Sequence, residues 1–126
     1  MTIERFEDIE AWKEARILVS FVYKAIASNE VFRKDFRLTN QIQGAVISTM
    51  SNIAEGFSRK SNKEFIQFLF ISKSSAAEVQ RQLYVALDQN YISQDTFIQI
   101  YNQAETVSKL NSGFIKYLKT HLNKSK

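Results

Sequence analysis

From Phe65 to Ala86, the positions Phe65, Leu69, Ser72, Ala76, Val79, Leu83 and Ala86 advance in strict alternation of four and three residues. An α-helix gathers such a series onto one face, because 3.6 residues complete a turn, whereas a strand alternates every second residue. The same beat runs through Ala11, Ala15, Leu18, Val22 and Ala25, with Trp12, Val19, Tyr23 and Ile26 beside it. Leu38, Ile42, Ala45, Thr49 and Ile53 form a third series, widened by Val46, Met50 and Phe57. Phe97, Tyr101, Ala104, Leu118 and Leu122 belong to a fourth. Little interrupts them: the 126 residues include no proline and only three glycines, Gly44, Gly56 and Gly113. A chain without the main helix breaker reads as all-α.

Capping residues mark the boundaries. Ser61, three residues ahead of Glu64, forms a capping box before "FIQFLF". Ser93 caps the next segment with Asp95 in its first turn, and Asp35 is the N-cap candidate after the connection "SNEVFRKD". The spacing predicts helices over about 8–28, 36–58, 61–90 and 93–122, each about 30 Å or more long. Joined by short connections, they predict an antiparallel up-down-up-down four-helix bundle, one domain over 1–126 with frayed ends at 1–7 and 123–126. The caps at Ser61 and Ser93 argue against one or two continuous coiled-coil helices.

Chemistry is sparse. There is no cysteine, so disulfides and thiolate metal sites are excluded. The N-terminal stretch holds Glu4, Glu7, Asp8, Glu10 and Glu14 and no apolar core, unlike a signal peptide. "FIQFLFI" is broken by Gln67 and is too short to span a bilayer, so a cytoplasmic protein is expected. The one histidine, His121, follows Leu118 by three residues, so no Glu-x-x-His pair for a di-metal site exists. It cannot assemble a nucleophilic triad, and its nearest upstream cation is Lys116 rather than the arginine of some helical ribonucleases. "GFSRKS" lacks the second glycine and the preceding strand of a phosphate loop. The expectation is a protein without catalytic residues, metal or cofactor.

Surface features remain. Net charge is +4, with five lysines and no acid after Glu105. Arg59, Lys60 and Lys63 cluster at the connection between the second and third segments, where a helix N-terminus also suits phosphate. Alternation of the helices puts Lys119 and Lys124 at that same end, and a second cluster, Arg33, Lys34 and Arg37, at the other. These eight residues are the nucleic-acid candidates. The third segment carries a second stripe, Phe70, Ala77, Tyr84 and Tyr91, at seven-residue spacing, which predicts a homo-oligomer interface. Small residues in "SKSSAAE" are expected to face Gly44, Ala45 and Ser48. Gly56, inside a helix, costs about 1 kcal/mol relative to alanine and so predicts a close approach by a neighbour. Ser48, Ser51 or Asn52, and Glu55 trace a polar stripe toward Arg59. A buried network that fixes helix register is the favoured reading of this stripe, and an exposed binding surface the other.

"SNIAEG" at Ser51–Gly56, "KEF" at Lys63–Phe65 and "FL" at Phe68 and Leu69 resemble the proteins encoded in intervening sequences of bacterial 23S rRNA genes, also called S23 ribosomal proteins. "FEDIEAWKEARIL", "LTNQIQGAVIS", "SSAAEVQRQL" and "NYI" extend the resemblance over nearly the whole chain. The chain departs by lacking a proline in the first connection and by carrying Ser74 where glycine is frequent. More distantly, it resembles the accessory variability proteins of diversity-generating retroelements. The resemblance implies a cytoplasmic four-helix bundle forming a homopentamer, of ill-defined role, with RNA binding suspected or another protein as partner. Ser51, Asn52, Glu55 and Gly56 are the family signature in this chain, and the helical spacing read above assigns them an architectural role; no membrane association is expected.

Overall fold

The structure is a computed structural model and describes residues 3–121. The described residues are all-helical, with no strand. Four long helices, α1 (Glu10–Ala27), α3 (Phe36–Phe57), α4 (Asn62–Asp88) and α5 (Gln94–Thr120), carry the four apolar series. A fifth, short helix α2 (Glu30–Lys34) occupies the expected connection, and a 3-10 turn covers Phe6–Asp8.

The caps fall where side-chain oxygens meet orphan backbone N–H groups. Asp35 accepts from the Leu38 N–H at 3.1 Å, Ser61 from Glu64 at 3.2 Å and Ser93 from Thr96 at 3.1 Å. Asn29 does the same for Phe32 at 2.8 Å, which explains why "EVFRK" is helical rather than a plain loop. Its apolar anchor is Phe32, fully buried. Local contacts hold the chain ahead of α1. The Asp8 carboxylate takes the backbone N–H groups of Glu4 and Arg5, and Phe6 packs edge-on against Trp12 at 5.2 Å.

α4 ends in a turn that redirects the chain. Asn90 adopts φ 61°, the Tyr91 N–H bonds the Ala86 carbonyl at 2.9 Å and the Asn90 N–H bonds Leu87 at 3.0 Å. This is the six-to-one plus five-to-two pattern of a helix stop with a left-handed residue, a conformation asparagine tolerates.

Each long helix packs chiefly on two others: α3 on α4 and α1, and α5 on α4 and α1. The core includes Ala15, Leu18, Ile42, Ile53, Leu69, Ala76, Val79 and Ala104, all essentially inaccessible to solvent. Through it runs one polar thread. The Ser72 hydroxyl donates to the Thr49 carbonyl at 2.8 Å and accepts from Asn111 Nδ2 at 2.9 Å. Ser72 is therefore a serine in a heptad seam because it ties three helices together. Nearer the surface, Ser75 and Ser48 join α4 to α3 at 2.8 Å. Gly44 is not part of that close contact, since a Cβ there would meet nothing within 4 Å.

Candidate nucleic-acid interface

α3 is 22 residues long, so its two basic clusters stand about 33 Å apart. Arg33 and Lys34 lie on α2, and Arg37 on the first turn of α3. There Lys34 pairs with Glu30 at 3.0 Å, and Arg33 donates to the Ala27 carbonyl. That end also holds the exposed acids Asp88 and Asp95, so its charge is mixed.

The α3–α4 connection is more open. Arg59 is engaged within the chain, bonded to Glu55 at 2.8 Å and set over the Phe68 ring at 4.7 Å. Lys60 and Lys63 are exposed and form no ion pair among the described residues. The end of α5 comes alongside, with Asn62 Nδ2 reaching the His121 carbonyl at 3.5 Å, and so brings Lys119 to this end. Lys124 lies outside the described residues. The N-terminal acids share the end on the α1 side, since the 3-10 turn packs on α1 and α3. Two of those five acids are ion-paired. Glu7 pairs with Arg5 at 3.0 Å, which holds its carboxyl below the ordinary range and raises the guanidinium, and Glu10 pairs with Lys13 at 3.7 Å.

The Ser48–Arg59 stripe divides in two. Asn52 Nδ2 donates to the Ser48 carbonyl at 2.9 Å and its hydroxyl at 2.8 Å, and this pair is half-buried against Ser75. Ser51 and Glu55 are exposed. Of the three glycines, Gly56 is the one pressed against a neighbouring helix. A Cβ there would lie 2.7 Å from Phe65 Cδ1 and 2.9 Å from Phe68 Cβ.

The second stripe also divides. Phe70 and Tyr84 are exposed at 46% and 51%, and Ala77 is half-buried between them. Tyr91 is corrected: because α4 ends at Asp88, seven-residue spacing no longer places it on a helix face. It stacks on Phe32 at 5.1 Å and donates to the Asp35 carboxylate at 2.8 Å, which raises its phenol above the ordinary range. It clamps the α4–α5 turn to α2 and the cap of α3.

Two lysines missed by the sequence reading, Lys73 and Lys116, join Lys119 around Phe70, in a groove of about 240 Å³ completed by Ser112 and Ile115. Their signal lay in the register between α4 and α5. With Ser61 and Ser93 fixed as caps, Lys73 and Lys116 fall on facing helices to either side of Phe70.

Among the described residues no group of three histidines or acids is placed to hold a metal ion, and no helix is long and apolar enough to cross a membrane. The fold and its surface thus define a small all-helical protein whose distinctive groups are external lysines and aromatics. Residues 7–113 match the model of the 23S rRNA-intervening sequence protein, and the chain belongs to that family. A similar crystal structure is that of a protein of unknown function from the S23 ribosomal protein family of Bacteroides thetaiotaomicron. It is 25% identical with a TM-score of 0.76, covering 84% of this chain and 98% of that one. No functionally curated protein matches.

Proposed function

We propose that this chain is a non-enzymatic, cytoplasmic RNA-binding protein, an antiparallel up-down-up-down four-helix bundle working as a homo-oligomer, with a pentamer favoured. The observation that carries the reading is the group of exposed cations without an acidic partner, Lys60 and Lys63, beside the end of α5. Unpaired ammonium groups bind phosphate without first breaking an ion pair, and repetition around an oligomer multiplies the contacts. Such binding is dominated by the RNA backbone, so it is salt-sensitive and weakly selective for sequence.

A nucleic-acid-free preparation should shift the anisotropy of a structured rRNA fragment at low ionic strength. Lys60→Glu/Lys63→Glu should weaken that binding more than tenfold and flatten its salt dependence. Light scattering at micromolar concentration should return a multiple of the 14.6 kDa chain mass. Absence of any salt-sensitive RNA shift, or a monomeric mass, refutes the corresponding half of the proposal. The exposed apolar side chains Ile71, Tyr84, Val85 and Ile98 favour a second reading, a protein-interaction scaffold. Under it, a protein partner would stay bound after the lysine reversals.

A further inference from the structure

We infer that the Phe70 groove is a stacking site for an unpaired base of single-stranded RNA, with Lys73, Lys116 and Lys119 holding the flanking phosphates. This inference rests on the RNA-binding reading above and adds the form of RNA and the residues that select it.

Four observations converge. Phe70 is exposed at 46% on an outer face of α4, so part of its side chain is open to a ligand. Lys119 Nζ already lies 5.6 Å from the centre of that ring, and Lys73 and Lys116 complete the surround. No acidic side chain lines the groove, and Lys73, Lys116 and Lys119 form no ion pair among the described residues. Finally, Lys63 precedes Phe70 by seven residues on α4, hence lies on the same face about 10 Å away. The groove therefore continues the cationic surface of the α3–α4 connection.

An aromatic ring among lysines is the arrangement that binds single strands. The base stacks on the ring, and the charge tracks the backbone. A duplex keeps its bases stacked internally and offers none to the ring. Covering Phe70 with an apolar surface would instead leave three ammonium groups desolvated without partners. In the chain's own acid-rich segment three of the five acids are already ion-paired or bonded to backbone N–H groups. Glu7 and Glu10 are paired and Asp8 caps backbone N–H groups.

The test compares a twelve-residue oligoadenylate RNA with an RNA duplex of equal length, by anisotropy at fixed low salt. Phe70→Leu keeps an apolar side chain but removes the ring. It should weaken single-strand binding about five- to a hundredfold and leave duplex binding unchanged. Phe70→Trp should restore the affinity, and the added fluorescence, read against wild-type Trp12, should be quenched by the single strand. Circular dichroism and light scattering establish that each variant folds and keeps its mass. Equal single-strand affinity for wild type and Phe70→Leu overturns the inference while salt-sensitive duplex binding leaves the broader reading standing. A changed mass with unchanged single-strand affinity identifies Phe70 as a subunit contact and also overturns it. Failure of the wild type to bind either RNA removes both.

Discussion

The three glycines permit a sharp test of what the "SNIAEG" stretch does. All three lie in helices and none has positive φ, so alanine fits the backbone at each. On propensity alone each Gly→Ala change should stabilise by about 1 kcal/mol. At Gly44 and Gly113 nothing lies within 4 Å of the new Cβ, so that gain should be realised. At Gly56 the methyl would sit 2.7 Å from Phe65 Cδ1, 3.2 Å from Phe65 Cε1 and 2.9 Å from Phe68 Cβ. The Phe65 ring has little room to yield, being buried and edge-packed on Phe57 and on Phe114 at 5.2 Å. Phe68 Cβ moves only if α4 moves. Overpacking of this kind costs about 1–3 kcal/mol, and contact with an atom next to the backbone puts Gly56→Ala toward the upper end. The net expectation is destabilisation by about 1–2 kcal/mol, or roughly 4–8 °C in Tm for a chain of this length. Gly44→Ala and Gly113→Ala should move a few degrees the other way. Urea midpoints for the three variants, at constant m-value, provide the measurement. If Gly56→Ala is as stabilising as its two companions, the close α3–α4 approach is not there.

Ser72→Ala leaves Asn111, wholly buried, without a partner for its amide N–H and with its Oδ1 already unpaired. It should cost about 1–3 kcal/mol, whereas Asn111→Leu, which removes both polar atoms and leaves Ser72 bonded to Thr49, should cost less; urea denaturation ranks the two. The Tyr91–Asp35 bond requires the phenolic proton and raises the phenol in the folded state. Its contribution is therefore complete below the unfolded value of about 10 and is lost as pH rises through the higher folded one. Urea midpoints from pH 7 upward should fall more steeply for the wild type than for Tyr91→Phe, and parallel curves would contradict that assignment.

Much of the helical architecture could be read from the chain because its signals are local. Alternating three- and four-residue steps define faces, and a serine or aspartate oxygen at the right offset defines a start. Asp35, Ser61 and Ser93 are caps in the structure as in the sequence. What escaped depends on the third dimension. Phe32 is an isolated aromatic with no period to report it, so helix α2 reads as a loop. Tyr91 has the spacing of a helical stripe, but Asn90 breaks the helix one residue earlier and turns the ring inward. Ser72 reads as a small seam residue, and only the approach of Asn111, 39 positions later, reveals a polar link.

The same distinction bears on where a ligand would be recognised. Charge is visible in sequence as a local density, which draws attention to "SRKSNK" and to "FRKDF". In the folded chain much of that density is internally compensated: Arg59 by Glu55, Lys34 by Glu30, and Arg33 by a backbone carbonyl. Lys73, Lys116 and Lys119 are scattered over two helices and form no comparable run, yet packing gathers them around one exposed ring. An ion-paired arginine must give up its acid to bind phosphate, and the exchange yields little net free energy. A lysine with no acid nearby has no such competing interaction. The dispersed lysines thus join Lys60 and Lys63 as the cations that need give up no ion pair to meet an anionic partner, and helix packing as well as sequence density decides where such groups gather.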